Sequence, residues 1–209
     1  MRKIFVVLSL MTGLFLFNVG FGQGSGSKSE TGEMGGMSLS ADKAHTNIGF
    51  TVTHMMLSKV RGDFKDYSIS LNWDKDNPEN SSVEVRIKVA SIFTDNEKRD
   101  NHLKSPEFFD AQSYPEIVFV SKKIEVKGNN KYVAHGDLTM RGITKEIELP
   151  FKVLGILNEP TGRVRMGLEA ELELNRFDYK IKWDKTLDTG GLVVGEEINV
   201  EIQAEFVSS

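Results

Sequence analysis

A chain of 209 residues suits one all-β domain behind a leader, and its 39% hydrophobic and 27% charged content is that of an ordinary soluble protein. The net charge is −4, and −6 once a leader carrying Arg2 and Lys3 is removed, which argues against nucleic acid or an anionic bilayer as the main partner. There are no cysteines, which excludes disulfides, thiolate catalysis, cysteine zinc sites and a lipid-modified N-terminal cysteine, so no stable membrane anchor is expected.

Arg2 and Lys3 precede an apolar run from Ile4 to Phe17, the length of a signal-peptide core and short for a membrane span. Gly20-Phe21-Gly22 supplies small residues at −3 and −1 for cleavage before Gln23. Residues 1–22 therefore read as a signal peptide, and the mature protein as periplasmic or secreted; an uncleaved N-terminal anchor is the alternative. Residues 23–38 are rich in Gly and Ser and read as a flexible tether. Residues 39–209 are left as the folded domain.

From Asn47 the sequence alternates with period two. Ile48, Phe50, Val52 and His54 share one face; Val60, Gly62 and Phe64 continue, and the phase then shifts to Tyr67, Ile69, Leu71 and Trp73. A bulge near Lys65-Asp66 accounts for the shift. Asp74 to Asn80 is turn chemistry, and Val83, Val85, Ile87 and Val89 form the next apolar face. Thr94 and Glu97 read as a capping box opening a helix at Asp95, and Ser105-Pro106-Glu107 as a second helix start. Phe108 and Phe109 follow, so an aromatic-bearing helical insert is expected between strands, as a lid or plug. Ile117 to Val126 is apolar on both faces at its start, which suits a strand covered outside by that insert. Gly128-Asn129-Asn130 and Arg141-Gly142 are turns. Strands through Tyr132–Met140, Ile147–Val153, Val164–Leu174 and Ile198–Phe206 complete the chain.

About eight strands, apolar on one face and joined by short turns, predict an antiparallel sheet. Closing it into an eight-stranded barrel buries the apolar face and removes the edges. A two-sheet sandwich with a filled core is the alternative.

Three motifs carry a resemblance. They are Arg99, Asp100, His102, Leu103, Ser105, Phe108, Phe109, Tyr114, Pro115 and Phe119 in the insert; Leu138 to Phe151; and His45 to Phe64. Together they resemble the YceI-like polyisoprenoid-binding family. The resemblance implies an elongated lipocalin-like barrel that binds a long-chain isoprenoid. Asn175-Arg176-Phe177-Asp178-Tyr179 is similar to the family's Asn-Arg-x-Asp-Phe, but Lys180 stands where glycine is usual. Leu39 stands where an aromatic is usual, and Asp42 to Thr46 replaces Asp-Pro-x-His-Ser.

No catalytic constellation appears. His45, His54, His102 and His135 show no paired zinc spacing, and there is no nucleophile elbow or phosphate loop. Neither enzyme activity, a metal nor a cofactor is expected. The small inward residues Ala134, Gly136 and Ala170 suggest a hollow lumen rather than a filled core. Its expected lining is Phe50, Val52, His54, Phe64, Val85, Ile87, Phe108, Phe119, Leu149, Phe151, Met166, Leu168, Ala170, Val200 and Ile202. His54 reads either as a hydrogen-bonded core histidine or as a polar contact for a lipid head group. Arg99, Asp100 and His102 either tie the insert to the barrel rim or gate the lumen. The expected partner is a long-chain isoprenoid of quinone or polyprenyl type, or another hydrophobic small molecule. A fatty acid or fatty amide carrier, an enzyme on a hydrophobic substrate and a filled-core stress domain are the alternatives. The sequence leaves open whether the protein is a monomer or a homodimer.

Overall fold

The computed structural model describes residues 36–183, 185–186 and 192–208; the stretch read as a signal peptide and most of that read as a tether lie outside the described residues. Eleven strand segments are arranged as β1 Met37–Ala41, β2 Asn47–His54, β3 Ser58–Phe64, β4 Tyr67–Trp73, β5 Ser82–Lys88, β6 Ile92–Phe93, β7 Glu116–Gly128, β8 Lys131–Met140, β9 Ile143–Asn158, β10 Val164–Asn175 and β11 Val194–Ser208. β1 opens at Met37, so the last two residues of the stretch read as tether already pair in the sheet, Met37 opposite Trp73.

All pairings are antiparallel, and the sheet closes because β1 pairs with both β4 and β11. Six of the segments make three interrupted staves. β1 and β2 run in succession along β11, which pairs Ala41 with Phe206 and Asn47 with Gln203. β3 and β4 are one stave broken at Lys65-Asp66, where the phase of the apolar face shifts. There Lys65 N–H donates to Ser91 O and Lys88 N–H to Asp66 O. β5 and β6 are one stave broken by a single turn at Val89–Ser91. With β7 to β11 this makes a closed eight-stranded up-and-down barrel, which leaves a small number of edge groups to protect.

Turn chemistry sets the register. Asn129 and Asn130 both take positive φ (54° and 58°), as do Arg141 (49°) and Gly142 (70°), the geometry of two-residue hairpins that matches strand twist. Met55 and Met56 also have positive φ (52° and 58°) between β2 and β3, where neither residue type is at home.

The insert is a single helix, α1 Glu97–Lys104, rather than two. Its N-cap is Asn96, whose side chain accepts from Arg99 N–H at 2.9 Å. Thr94, expected to cap, instead donates its N–H (2.9 Å) and hydroxyl (2.5 Å) to the buried Asp100 carboxylate. Ser105 ends α1, and residues 106–113 form turns, not a second helix. The insert closes one end of the barrel. It does not cover the outer face of β7, where Val120 is 42% exposed.

The inner faces form one core from Leu39 to Phe206. Its far end is packed with large rings: Trp73 meets Tyr132 edge-on at 5.2 Å, and Tyr132 stacks on Phe151 at 5.2 Å.

Candidate ligand-binding site

The barrel lumen holds two cavities. The larger, about 150 Å³, lies at the end closed by the insert. Its walls come from the inner faces of the staves, including Phe50, Val52 and Phe64 on β2 and β3, Val85 and Ile87 on β5, Phe119 on β7, Leu149 on β9, and Val200 and Ile202 on β11. The insert contributes Leu103, Phe108 and Phe109, which places aromatic side chains in the barrel mouth as a plug. Phe109 stands edge-on to Phe64 at 6.1 Å, and Phe108 stacks on Trp183 at 5.3 Å. Gly62 is needed in this wall: a Cβ there would fall 2.4 Å from the Phe50 ring.

The smaller cavity, about 40 Å³, lies between Trp73 and Phe206 and is bordered by Phe151, Leu168 and Ala170. Val85, Leu149 and Ile202 border both spaces. The hollow lumen expected from the sequence is thus two spaces. Met166 borders neither; its side chain is 0% exposed and is packed core.

Of the three small residues that suggested a hollow lumen, Ala134 and Ala170 border the smaller cavity, and Gly136 marks close packing instead. A Cβ on Gly136 would fall 2.3 Å from Val120 O, and Ala134 is fully buried against Ile124 across the β7–β8 ladder. His54 does not line either cavity. It is the last residue of β2, opposite Ser58 and Val194, just past an irregularity in the β2–β11 ladder between Val194 and Ile198 that strict alternation does not foresee.

Arg99, Asp100 and His102 tie the insert down. Arg99 donates from Nε to Thr94 Oγ1 and from Nη2 to Thr94 O, both at 2.7 Å, while Asp100 holds Thr94 from the other side. His102 Nε2 pairs with Glu107 at 2.6 Å, and its ring stands edge-on to Phe108 and Trp183. From the next turn, Arg141 reaches the carbonyls of Pro106 (2.5 Å) and Lys180.

The other wall of the larger cavity was not foreseen as lining. Asn175 accepts from Phe177 N–H and starts a 3-10 turn, Arg176–Tyr179, which ends at Lys180 with φ 58°. That left-handed backbone explains why glycine suits position 180. The turn buries Arg176 and Tyr179 against the cavity. The Arg176 guanidinium lies over the Phe177 ring at 4.4 Å and donates to the carbonyls of Ile181 (2.7 Å), Trp183 (2.8 Å), Gly195 (2.8 Å) and Val194 (3.0 Å). The signal for this wall was the Asn-Arg-x-Asp motif, which sequence reading used for membership and not for lining.

At the opposite end of the barrel, Asp42, His45 and Glu205 bring ligand-type atoms within 4.8 Å of one another. Arg165 pairs there with Asp42 at 3.0 Å and with Glu205 and Glu159, so a guanidinium supplies the positive charge between the carboxylates. Hydrogen bonds from His45, Arg165 and the Ala44 N–H hold the Asp42 carboxyl down at about 2. The cluster acts as a clasp where the β1–β2 stave breaks.

Residues 39–206 match the YceI-like domain. The chain belongs to the YceI-like family. It is 39% identical over 140 residues to an UPF0312 protein of Photorhabdus laumondii, covering 67% of this chain and 72% of that one. A crystal structure of the YCEI protein of Campylobacter jejuni superposes with a TM-score of 0.67 at 35% identity, covering 80% of this chain and 96% of that one. A polyisoprenoid-binding domain from Saccharophagus degradans superposes at 0.59 with 13% identity, covering 83% and 99%, a likeness of fold. The YceI-like barrel is therefore the setting in which the apolar cavity has to be understood.

Proposed function

We propose that this protein is a non-enzymatic carrier that sequesters or transports a long-chain isoprenoid lipid, of quinone or polyprenyl type, inside its barrel. The observation that carries the reading is the larger cavity, lined by aliphatic and aromatic side chains from the staves and plugged by Phe108 and Phe109. Among the described residues its lining contains no histidine, carboxylate, serine, threonine or lysine, so it pairs no nucleophile with a base. The polyisoprenoid-binding domain among the structural neighbours supports an isoprenoid as the guest.

Burial supplies the affinity. A tail of about forty carbons buries several hundred Å², on the order of 10–20 kcal/mol gross at ~25 cal/mol per Å², and association and ordering costs remove much of it. The larger cavity, about 150 Å³, is the size that accepts a benzene-like guest, whereas pockets for larger ligands run to roughly 300–1,000 Å³. Loading a long tail therefore requires the lumen to open. Val85, Leu149 and Ile202 border both cavities, so these are the side chains that would have to move for the two spaces to join.

The reading includes export. Processing after Gly22 would release a soluble carrier whose N-terminus is Gln23, and sequencing of the exported protein checks this. The binding test is native mass spectrometry of the mature protein with organic extraction of what co-purifies. An added mass that extracts as an isoprenoid is expected. A protein that co-purifies with nothing and takes up no added isoprenoid would end the proposal.

A further inference from the structure

Two residues of the larger cavity's lining carry side-chain nitrogen or oxygen, Arg176 and Tyr179. Arg176 donates to four backbone carbonyls. Tyr179 differs. Its side chain is 1% exposed, and its hydroxyl is buried with no hydrogen-bond partner among the described residues. Buried polar groups are hydrogen-bonded in about nine cases in ten, so an orphaned hydroxyl on a residue that lines a cavity calls for a partner. Water suits poorly, because it needs two to four polar partners and these walls are hydrocarbon. Burial, with the Asp178 charge nearby, pushes the phenol up to about 12, so it stays a neutral donor across the physiological range.

We propose that the Tyr179 hydroxyl is the head-group contact of this lumen, donating a hydrogen bond to a neutral carbonyl-type oxygen of the bound lipid. A quinone, amide or ester carbonyl meets that requirement. A tail ending in phosphate does not: it would bring charge into a wall whose cation is already engaged with backbone carbonyls, and a buried anion without close cationic partners is strongly disfavoured. A headless hydrocarbon fills the cavity but leaves the hydroxyl unpaired. The assignment also sets the ligand's direction. The 3-10 turn bearing Tyr179 sits at the insert end, joined to the insert through Arg141, which bonds to Lys180 O and Pro106 O. The head group then lies under the plug, and the tail runs towards Phe151 and Ala170.

This inference rests on the carrier reading, and the experiment separates the two. Delipidated mature wild-type protein and Tyr179→Phe are titrated with three probes of equal tail length: a benzoquinone carrying two isoprene units, the same tail as a hydrocarbon, and the same tail ending in phosphate. Wild type should bind the quinone in preference to the other two. Tyr179→Phe should lose about tenfold for the quinone, one neutral hydrogen bond's worth, and bind the hydrocarbon unchanged. Its ligand-free melting temperature should equal or exceed that of wild type, because the orphaned hydroxyl is gone. Equal quinone binding by both proteins, an equal loss for quinone and hydrocarbon, or phosphate-tail binding as tight as quinone binding would overturn the Tyr179 assignment alone. Wild type that binds none of the three probes would overturn the carrier reading and this assignment with it.

Discussion

Val52→Phe tests whether the space at the insert end is a real void. Val52 faces the larger cavity from β2, between Val60 and Ile198 in the ladder. Phenylalanine adds ring volume where 150 Å³ stands open. At about 24 cal/mol per Å³ of cavity, filling a third of it stabilises the ligand-free protein by about 1 kcal/mol. For a domain of this size that raises the melting temperature by roughly 2–4 °C. The same ring occupies volume that a ligand needs, so lipid uptake should fall sharply. Ala170→Trp is the contrast. Ala170 borders only the 40 Å³ space beside Phe151 and Leu168, so an indole overpacks it and should cost roughly 1–3 kcal/mol or more. The assay is thermal and urea unfolding of delipidated protein, paired with a binding titration. Val52→Phe that loses 2 kcal/mol or more while binding lipid at full strength would show that this part of the lumen is already packed, and that the binding space lies elsewhere.

Four further outcomes are expected. The Asp42 carboxyl is held at about 2 against an ordinary 3.8. A depressed carboxylate stabilises above its unfolded value, so that contribution should be present above about pH 4 and lost as pH falls towards 2; acid unfolding of Asp42→Asn should lack this step. Replacing Met55-Met56 by Asn-Gly gives the β2–β3 turn residues suited to positive φ and should stabilise by about 1 kcal/mol or more, read by urea midpoint. Arg176→Met removes the donors to four carbonyls and should destabilise by several kcal/mol, while Arg176→Lys should rescue little, because an ammonium cannot span the guanidinium's fork. Hydrogen exchange should show α1 opening before β8 and β9, since the helix is held to the barrel by a few polar ties around Thr94 and two plug rings, not by a continuous ladder.

The barrel was legible because period-two alternation records which face is buried, and closure follows when nothing else covers that face. The phase shift at Lys65-Asp66 was legible for the same reason: Phe64 and Tyr67 are both buried, and a regular strand cannot bury residues three apart. What alternation cannot convey is how far the opposite wall stands. Phe50 and Met166 carry the same signal, yet one faces open volume and the other is packed shut. Gly136 misled by that route: it is small because a neighbouring backbone occupies its place, not because the lumen is empty. His54 misled because a ladder irregularity turns the strand end. The Arg176–Tyr179 wall escaped because its turn has no hydrophobic period, and its side chains reach the cavity through tertiary geometry.

The two ends of this barrel are built for different purposes, and the residues show why they have to be. At the far end, Trp73, Tyr132 and Phe151 pack ring on ring near the clasp made by Arg165, Asp42, Glu159 and Glu205. Packing there supplies cohesion that does not depend on a guest. At the insert end the walls are aliphatic and aromatic, the plug is two rings in the turns after a short helix, and the Tyr179 hydroxyl is left unpaired at the cavity wall, as are Ser105 Oγ and Arg141 Nε nearby. A void and an orphaned donor both cost free energy in the empty protein; the far end carries a smaller void of 40 Å³ and the unpaired Trp73 Nε1, and its stacked rings help to offset the larger void at the insert end. The unfavourable features are also the ones a lipid would relieve, its tail by filling the void and its head by accepting the hydrogen bond. If the protein is the carrier proposed, stability and ligand capture are opposed within one lumen, and the larger void and the stacked rings stand at different heights along its axis.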